Sequence, residues 1–201
     1  MIEQIDNGIQ IAVLVICVIA AIFKAAKYRS RSWTLLAFFY ASWLLGDIYW
    51  TVCLHFYDKT PEISVVSDLS WYASYIFLYL LLRHNSPPEA LAGKKITPWL
   101  GPIFAALMAL FFMQRGEIIS NLIYAGLMGL LLYSTICRLA ERQNRTLPAL
   151  ILILCLLEYA LWTASCFWND ELLLHPYYWF DFLLTVSLPF FLPAVRKAVA
   201  A

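Results

Sequence analysis

What limits this chain most is a succession of apolar runs, each near the length that crosses a bilayer as a helix. About 20 mostly apolar helical residues match a hydrocarbon core of about 30 Å. Such runs fall at Gly8–Phe23, Trp33–His55, Ser64–Leu82, Pro98–Met113, Ile118–Cys137, Pro148–Phe167 and Tyr177–Val195. Hydrophobic residues make up 63% and charged residues 13% of the 201, too little charge to cover a soluble globule. The weak period-two strands of about ten residues that mark an outer-membrane barrel do not occur. The expectation is an all-α polytopic membrane protein, one domain of seven transmembrane helices.

The charges orient it. Every Lys and Arg except Lys59 and Arg115 falls on one side of these seven spans. That bias predicts an N-terminus outside and a C-terminus in the cytoplasm, which needs an odd number of spans. The first seven residues lack the basic segment of a cleavable signal, so the first run reads as a retained helix. The basic stretch Lys24–Arg31, which should end that helix, reads as a topology signal beside anionic lipid and not as a nucleic-acid patch. The five cysteines lie mostly inside spans with no CxxC pair, and read as small core residues.

Against this apolar background the segment Leu44–Leu82 places a carboxylate in each of two spans, Asp47 and Asp68, each followed three residues later by Trp. Tyr40, Trp43, Asp47 and Trp50 share one helical face, as do Asp68, Trp71, Tyr72, Tyr75 and Tyr79. Glu158 with Trp162 and Ser165, and Asp181 with Tyr178 and Thr185, follow the same spacing in the sixth and seventh spans. A lone carboxylate near a bilayer centre costs about 2.5–3.5 kcal/mol on insertion scales. Such acids face a wet cavity, share protons or meet a cation. The expected site is therefore Asp47, Trp50, Asp68, Trp71, Tyr72, Glu158, Trp162 and Asp181, around a small ligand with cations among the candidates. The competing reading makes Asp68 and Asp181 first-turn acids of their helices and the aromatics packing or interfacial residues. The first span, poor in polar residues, reads as a lipid-facing support, and the fourth as a linker. Pro189 and Pro193 in the seventh free backbone carbonyls and suggest a bend.

LLGDIYWT at Leu44–Thr51 echoes LLEYALWT at Leu156–Thr163. The same offset pairs Asp58 with Asp170, and one more residue pairs Asp68 with Asp181. The pattern suggests a parallel three-plus-one-plus-three repeat, with triple-helix units at 8–82 and 118–195 joined by a linker helix at 98–113.

Catalysis is disfavoured. His55, His84 and His175 fall at opposite sides of the membrane and cannot share a metal. No GxSxG, Walker or glycine-rich phosphate motif is present. The seventh span has no lysine for a retinal Schiff base before Lys197. No catalytic, metal or cofactor set is legible.

Gly46, Asp47, a Pro61-bearing turn, and Asp68, Trp71 and Tyr72 opening the third span form a pattern. It resembles the multi-helix membrane sensory regions found at the N-terminus of some bacterial diguanylate cyclases and signalling kinases. The resemblance covers about 40 residues and implies ligand sensing at a bacterial inner membrane, relayed to a cytoplasmic output domain. No output domain appears within these 201 residues. The expectation is then a stand-alone relative acting through another membrane or signalling protein, or a shared scaffold. The first functional reading is a receptor-like protein binding a small molecule in an outward-facing acidic and aromatic pocket. A small-solute transporter of SWEET-like parallel-repeat architecture is the alternative, although it would lack the Pro-Gln motif. A structural membrane subunit is the third.

Overall fold

The computed structural model describes residues 2–57, 65–85, 97–115, 117–140, 145–167 and 175–200, and over these residues it is helical with no strand. In chain order the helices are α1 (Ile2–Tyr28), α2 (Arg31–Tyr57), α3 (Val65–His84), α4 (Leu100–Phe112), α5 (Ile118–Ala140), α6 (Thr146–Phe167), α7 (Pro176–Ser187) and α8 (Phe191–Ala200). A 3-10 turn at Thr97–Trp99 leads into α4, and another at Leu188–Phe190 joins α7 to α8. Among the described residues five stretches are long and apolar enough to cross a membrane: Glu3–Tyr28, Arg31–Phe56, Ile118–Ala140, Thr146–Phe167 and Pro176–Val199. The chain is thus a membrane-embedded helical protein by length and composition. The Thr97–Phe112 helix is apolar but shorter. Asp58, Lys59, Pro61 and Asp170 lie outside the described residues.

Six helices close a ring. α1 packs on α2, α2 on α3, α3 on α5, α5 on α6, α6 on α7, and α7 returns to α1. Helix α4 packs outside the ring against α5, and its Phe104 ring stands edge-on to Tyr159 of α6 at 5.1 Å. Gly101 permits the close approach, since a Cβ there would lie 2.7 Å from the Cβ of Leu132 on α5.

The two ends of the ring differ. Every described Lys and Arg except Arg115 lies at or near the end formed by the C-termini of α1, α3, α5 and α8 and the N-termini of α2 and α6. In the half of the bundle nearer that end, Leu36, Leu78, Leu81, Leu131, Ile151, Leu154, Leu188 and Phe191 are fully buried and fill the interior. Asn85 knits this end together. Ser32 Oγ donates to its Oδ1 at 3.0 Å, and Arg138 donates to its carbonyl at 2.9 Å.

Midway, a file of rings crosses the bundle. Phe191 meets Phe39 at 5.5 Å, Phe39 meets Trp43 at 5.6 Å and Trp43 meets Tyr75 at 5.9 Å. Tyr75 then meets Tyr124 at 5.8 Å, and Tyr124 meets Tyr159 at 5.5 Å. Most pairs are tilted or edge-to-face, the arrangement aromatic quadrupoles favour.

The first helix ends within the basic stretch Lys24–Arg31, as expected: α1 continues to Tyr28, and the turn is only Arg29, with φ of 48°, and Ser30. Lysine's long stem lets the backbone stay helical while the charge reaches a favourable site. Here the Lys24 ammonium sits 4.6 Å from the centre of the Trp33 ring, a cation–π contact. The expected bend in the seventh span is a single 3-10 turn around Pro189. Pro189 has no N–H to give the Thr185 carbonyl, and the Leu188 N–H is shared between the Leu184 and Thr185 carbonyls instead. The Tyr40 hydroxyl, fully buried, donates to the Leu188 carbonyl at 2.7 Å and ties this turn to α2.

Candidate functional site

Above the aromatic file, toward the acidic end, the ring of helices does not fill its own interior. A cavity of about 600 Å³ remains, walled by α1, α2, α3, α5, α6 and α7 and by the turn after α4. All eight side chains expected from the sequence line it: Asp47 and Trp50 from α2, Asp68, Trp71 and Tyr72 from α3, Glu158 and Trp162 from α6, and Asp181 from α7. The periodicity that placed each stripe on one helical face also turned those faces inward.

Asp47, Glu158 and Asp181 are only 7%, 6% and 4% exposed. Each is held from a neighbouring helix. The Trp71 indole N–H donates to Asp47 Oδ1 at 3.0 Å, while Asp47 Oδ2 is buried with no partner among the described residues. Glu158 shares the cavity wall with Tyr75 of α3 and Trp162 of its own helix, whose polar hydrogens are the donors nearest to hand for it. Gln10 donates from α1 to Asp181 Oδ1 at 3.2 Å. Buried polar groups left without partners are costly, and most of these donors come from positions the sequence reading also put on inward faces.

Asp68 is half-buried and sits in the first turn of α3, as the capping reading supposed. It also joins a helix crossing: Ser120 Oγ of α5 donates to Asp68 Oδ2 at 3.0 Å, and the Tyr72 hydroxyl donates to the Ser120 carbonyl at 3.1 Å. Asp181 is no first-turn acid. His175, 9% exposed, is the N-cap of α7 and accepts from the Tyr177 N–H, which places Asp181 one turn further in. The carboxylate at 181 is therefore held by side-chain hydrogen bonding across helices and not by the helix terminus.

Three other expectations shift. Helix α1 is no mere lipid-facing support, since Asn7 and the buried Gln10 line the cavity. Two amides three residues apart ahead of an otherwise apolar run were the available signal. From α7 it is Tyr177 that lines the cavity with Asp181, while Tyr178 does not and Trp179 is exposed. Cavity walls also come from Arg115, Glu117 and Ser120 around the α4–α5 turn. Among the described lining residues Arg115 is the only Lys or Arg. It is exposed, donates to the Cys166 carbonyl at 2.6 Å and stacks over Phe167 at 4.8 Å.

Chemically the cavity is an acceptor-rich, aromatic-walled chamber. Trp50 and Trp71 stand 6.0 Å apart, and Trp162 lies 6.1 Å from Tyr124. No group of three or more His, Cys, Asp and Glu suited to a metal ion occurs among the described residues. Searches against protein-family models, curated proteins and solved structures returned no match to this chain.

Proposed function

We propose that this protein is a seven-helix membrane receptor whose cavity binds a small organic cation from the outer side. One observation carries the reading: Asp47 and Glu158, from different helices and more than nine-tenths buried, line one chamber whose only described cation, Arg115, is exposed. Burying a carboxylate is expensive unless a counter-charge and hydrogen bonds compensate it. A bound cation does so, and the indole and phenol walls add favourable surface.

In this reading α3 and α4 complete seven spans. The basic end faces the cytoplasm, the N-terminus lies outside and the cavity opens outward. The ring order supports the parallel repeat. A half-turn would exchange α1 with α5, α2 with α6 and α3 with α7, and swap the α3–α5 seam with the α7–α1 seam. Helix α4 is then the linker. The likeness to bacterial sensory regions suggests that ligand binding shifts α2, α3, α6 and α7, and that a partner reads the shift at the basic face of an inner membrane. The 3-10 turn at Leu188–Phe190 is the natural bend.

The same repeat favours a second reading as a small-solute carrier, since repeat proteins commonly place sites between their halves. Purified protein in nanodiscs, titrated with matched cationic, neutral and anionic small molecules, tests the binding reading. Cations should stabilise it selectively, and Asp47→Asn or Glu158→Gln should weaken that binding at least tenfold. Equal stabilisation by neutral or anionic analogues overturns the reading. Uptake of the bound cation into proteoliposomes identifies a carrier, and saturable binding without uptake a receptor.

A further inference from the structure

Helix α4 meets the ring on two sides and seals only one of them. Toward α5 it packs closely, with the backbone of Gly101 against Leu132. Toward α6 it meets the bundle through two pairs of rings, Phe104 edge-on to Tyr159 at 5.1 Å and Phe111 stacked on Phe167 at 5.9 Å. Between those pairs α6 offers the small side chains of Ala160, Thr163 and Ala164. An open groove of about 680 Å³ remains there, along α4, α6 and the start of α7. None of the described residues that line it is charged, and the Thr163 hydroxyl is spent on the Tyr159 carbonyl at 2.6 Å.

The groove has a direction and a depth. On α6 its wall runs from Phe167 at the acidic end down to Leu156, about 16 Å at a rise of 1.5 Å per residue. That is close to half of a hydrocarbon core of about 30 Å. The groove thus matches the depth of a single leaflet.

One guanidinium marks its acidic end. Arg115 lies 5.6 Å from the centre of the Phe111 ring and 4.8 Å from that of Phe167, the pair that closes the groove there. Its Nη1 donates to the Cys166 carbonyl at 2.6 Å and holds the group in place. A guanidinium has five N–H donors, so this exposed side chain keeps donors for a further acceptor. Its planar fork matches the oxygens of a phosphate in pairs. The same end of the bundle carries Glu3, Asp68 and Glu117, and no second Lys or Arg among the described residues. A lipid phosphate at this end therefore finds its counter-charge at Arg115.

We propose that the groove seats one glycerophospholipid of the leaflet at the acidic end, with an acyl chain along Met108, Ala160 and Ala164 and its phosphate on the Arg115 guanidinium. Arg115 borders the acidic chamber as well, but the seat does not depend on what that chamber binds.

Native mass spectrometry of the purified protein, titrated with phosphatidylethanolamine or with diacylglycerol of the same chains, tests this. Only the first lipid has a phosphate, and neither carries net charge, so the basic end favours neither. Wild-type protein should hold phosphatidylethanolamine at least tenfold more tightly than diacylglycerol. Arg115→Gln should bring that ratio close to one, while Arg83→Gln at the basic end should leave it unchanged. Ala160→Phe, which fills the groove and keeps the arginine, should weaken both lipids at least tenfold. Equal binding of the two lipids by the wild-type protein overturns the phosphate seat, as does a ratio that Arg115→Gln leaves unaltered. Full lipid affinity in Ala160→Phe overturns the groove as the seat of the chain. A dimer that excludes lipid and is broken by Ala160→Phe overturns the lipid and assigns the groove to a second copy. The wild-type comparison stands whether or not any variant folds.

Discussion

Trp71 of α3 both bonds and braces α2: its indole N–H donates to Asp47 Oδ1 at 3.0 Å, and the same ring lies against Gly46. A Cβ at position 46 would come 2.7 Å from Trp71 Nε1 and 2.9 Å from its Cδ1. The glycine before the acid and the tryptophan on the facing helix therefore form one unit. The absence of a side chain at 46 lets the indole reach the carboxylate at 47.

Gly46→Ala should displace that ring. Overpacking a tight contact typically costs about 1–3 kcal/mol, and here the shift also strains the Trp71–Asp47 hydrogen bond. We expect a lowered unfolding midpoint in detergent. In a Trp71→Leu background the same substitution should be nearly neutral, because residues in direct contact do not act additively. Equal penalties in the two backgrounds would show that the indole is not the obstacle.

Asp47→Asn and Asp47→Leu should separate charge from hydrogen bonding. The amide keeps an acceptor for Trp71 and removes a buried charge, so its stability should match or exceed wild type. The leucine strands the indole N–H, and should fall below the asparagine variant by about 1–3 kcal/mol. Thermal unfolding of both in one detergent checks the order.

The contact of α4 with α5 rests on two glycines of different kinds. A Cβ at Gly101 would sit 2.7 Å from Leu132 Cβ and 3.0 Å from its backbone carbon, whereas one at Gly129 would meet Ala105 Cβ at 3.5 Å, ordinary contact. Gly101→Ala should pry α4 from α5 at a cost of about 1–3 kcal/mol. Gly129→Ala should be neutral or stabilising by up to about 1 kcal/mol through helix propensity. Denaturant titration of the two variants side by side measures the difference.

Tyr40→Phe removes the 2.7 Å donation to the Leu188 carbonyl at the turn between α7 and α8. That carbonyl still accepts from the Phe191 N–H, so the loss should be moderate, about 0.5–1.5 kcal/mol. Faster amide hydrogen exchange confined to residues 188–192 would place the effect at the turn. Unchanged exchange there, with the same loss of stability, would mean that the hydroxyl serves the bundle as a whole.

Much of the site was legible because hydrophobic surroundings make acids conspicuous. Asp47, Glu158 and Asp181 stand out in apolar runs, and aromatic residues at helical spacing identify the face each acid shares. Asn7 and Gln10 escaped because amides near a helix start look like ordinary interfacial residues. Gln10 declares itself only through a bond to Asp181, 171 residues away. The start of α7 was misjudged for a similar reason: His175 caps the helix, and Asp181 lies beyond its first turn. Which residue caps α7 depends on where the helix begins, and boundaries are less certain in a sequence than the helix itself.

Hydropathy by itself determined that this chain is helical and membrane-embedded, because a backbone in hydrocarbon must satisfy its own hydrogen bonds. It also determined which faces of α2, α3 and α6 are too polar to meet lipid. The tertiary structure alone decided that these faces converge on one chamber at the acidic end, while the basic half is packed solid with leucine and aromatic rings. That outcome depends on the order of helices around the ring and on the close approaches at Gly46 and Gly101. These are matters of shape between segments distant in the chain, to which no local periodicity responds.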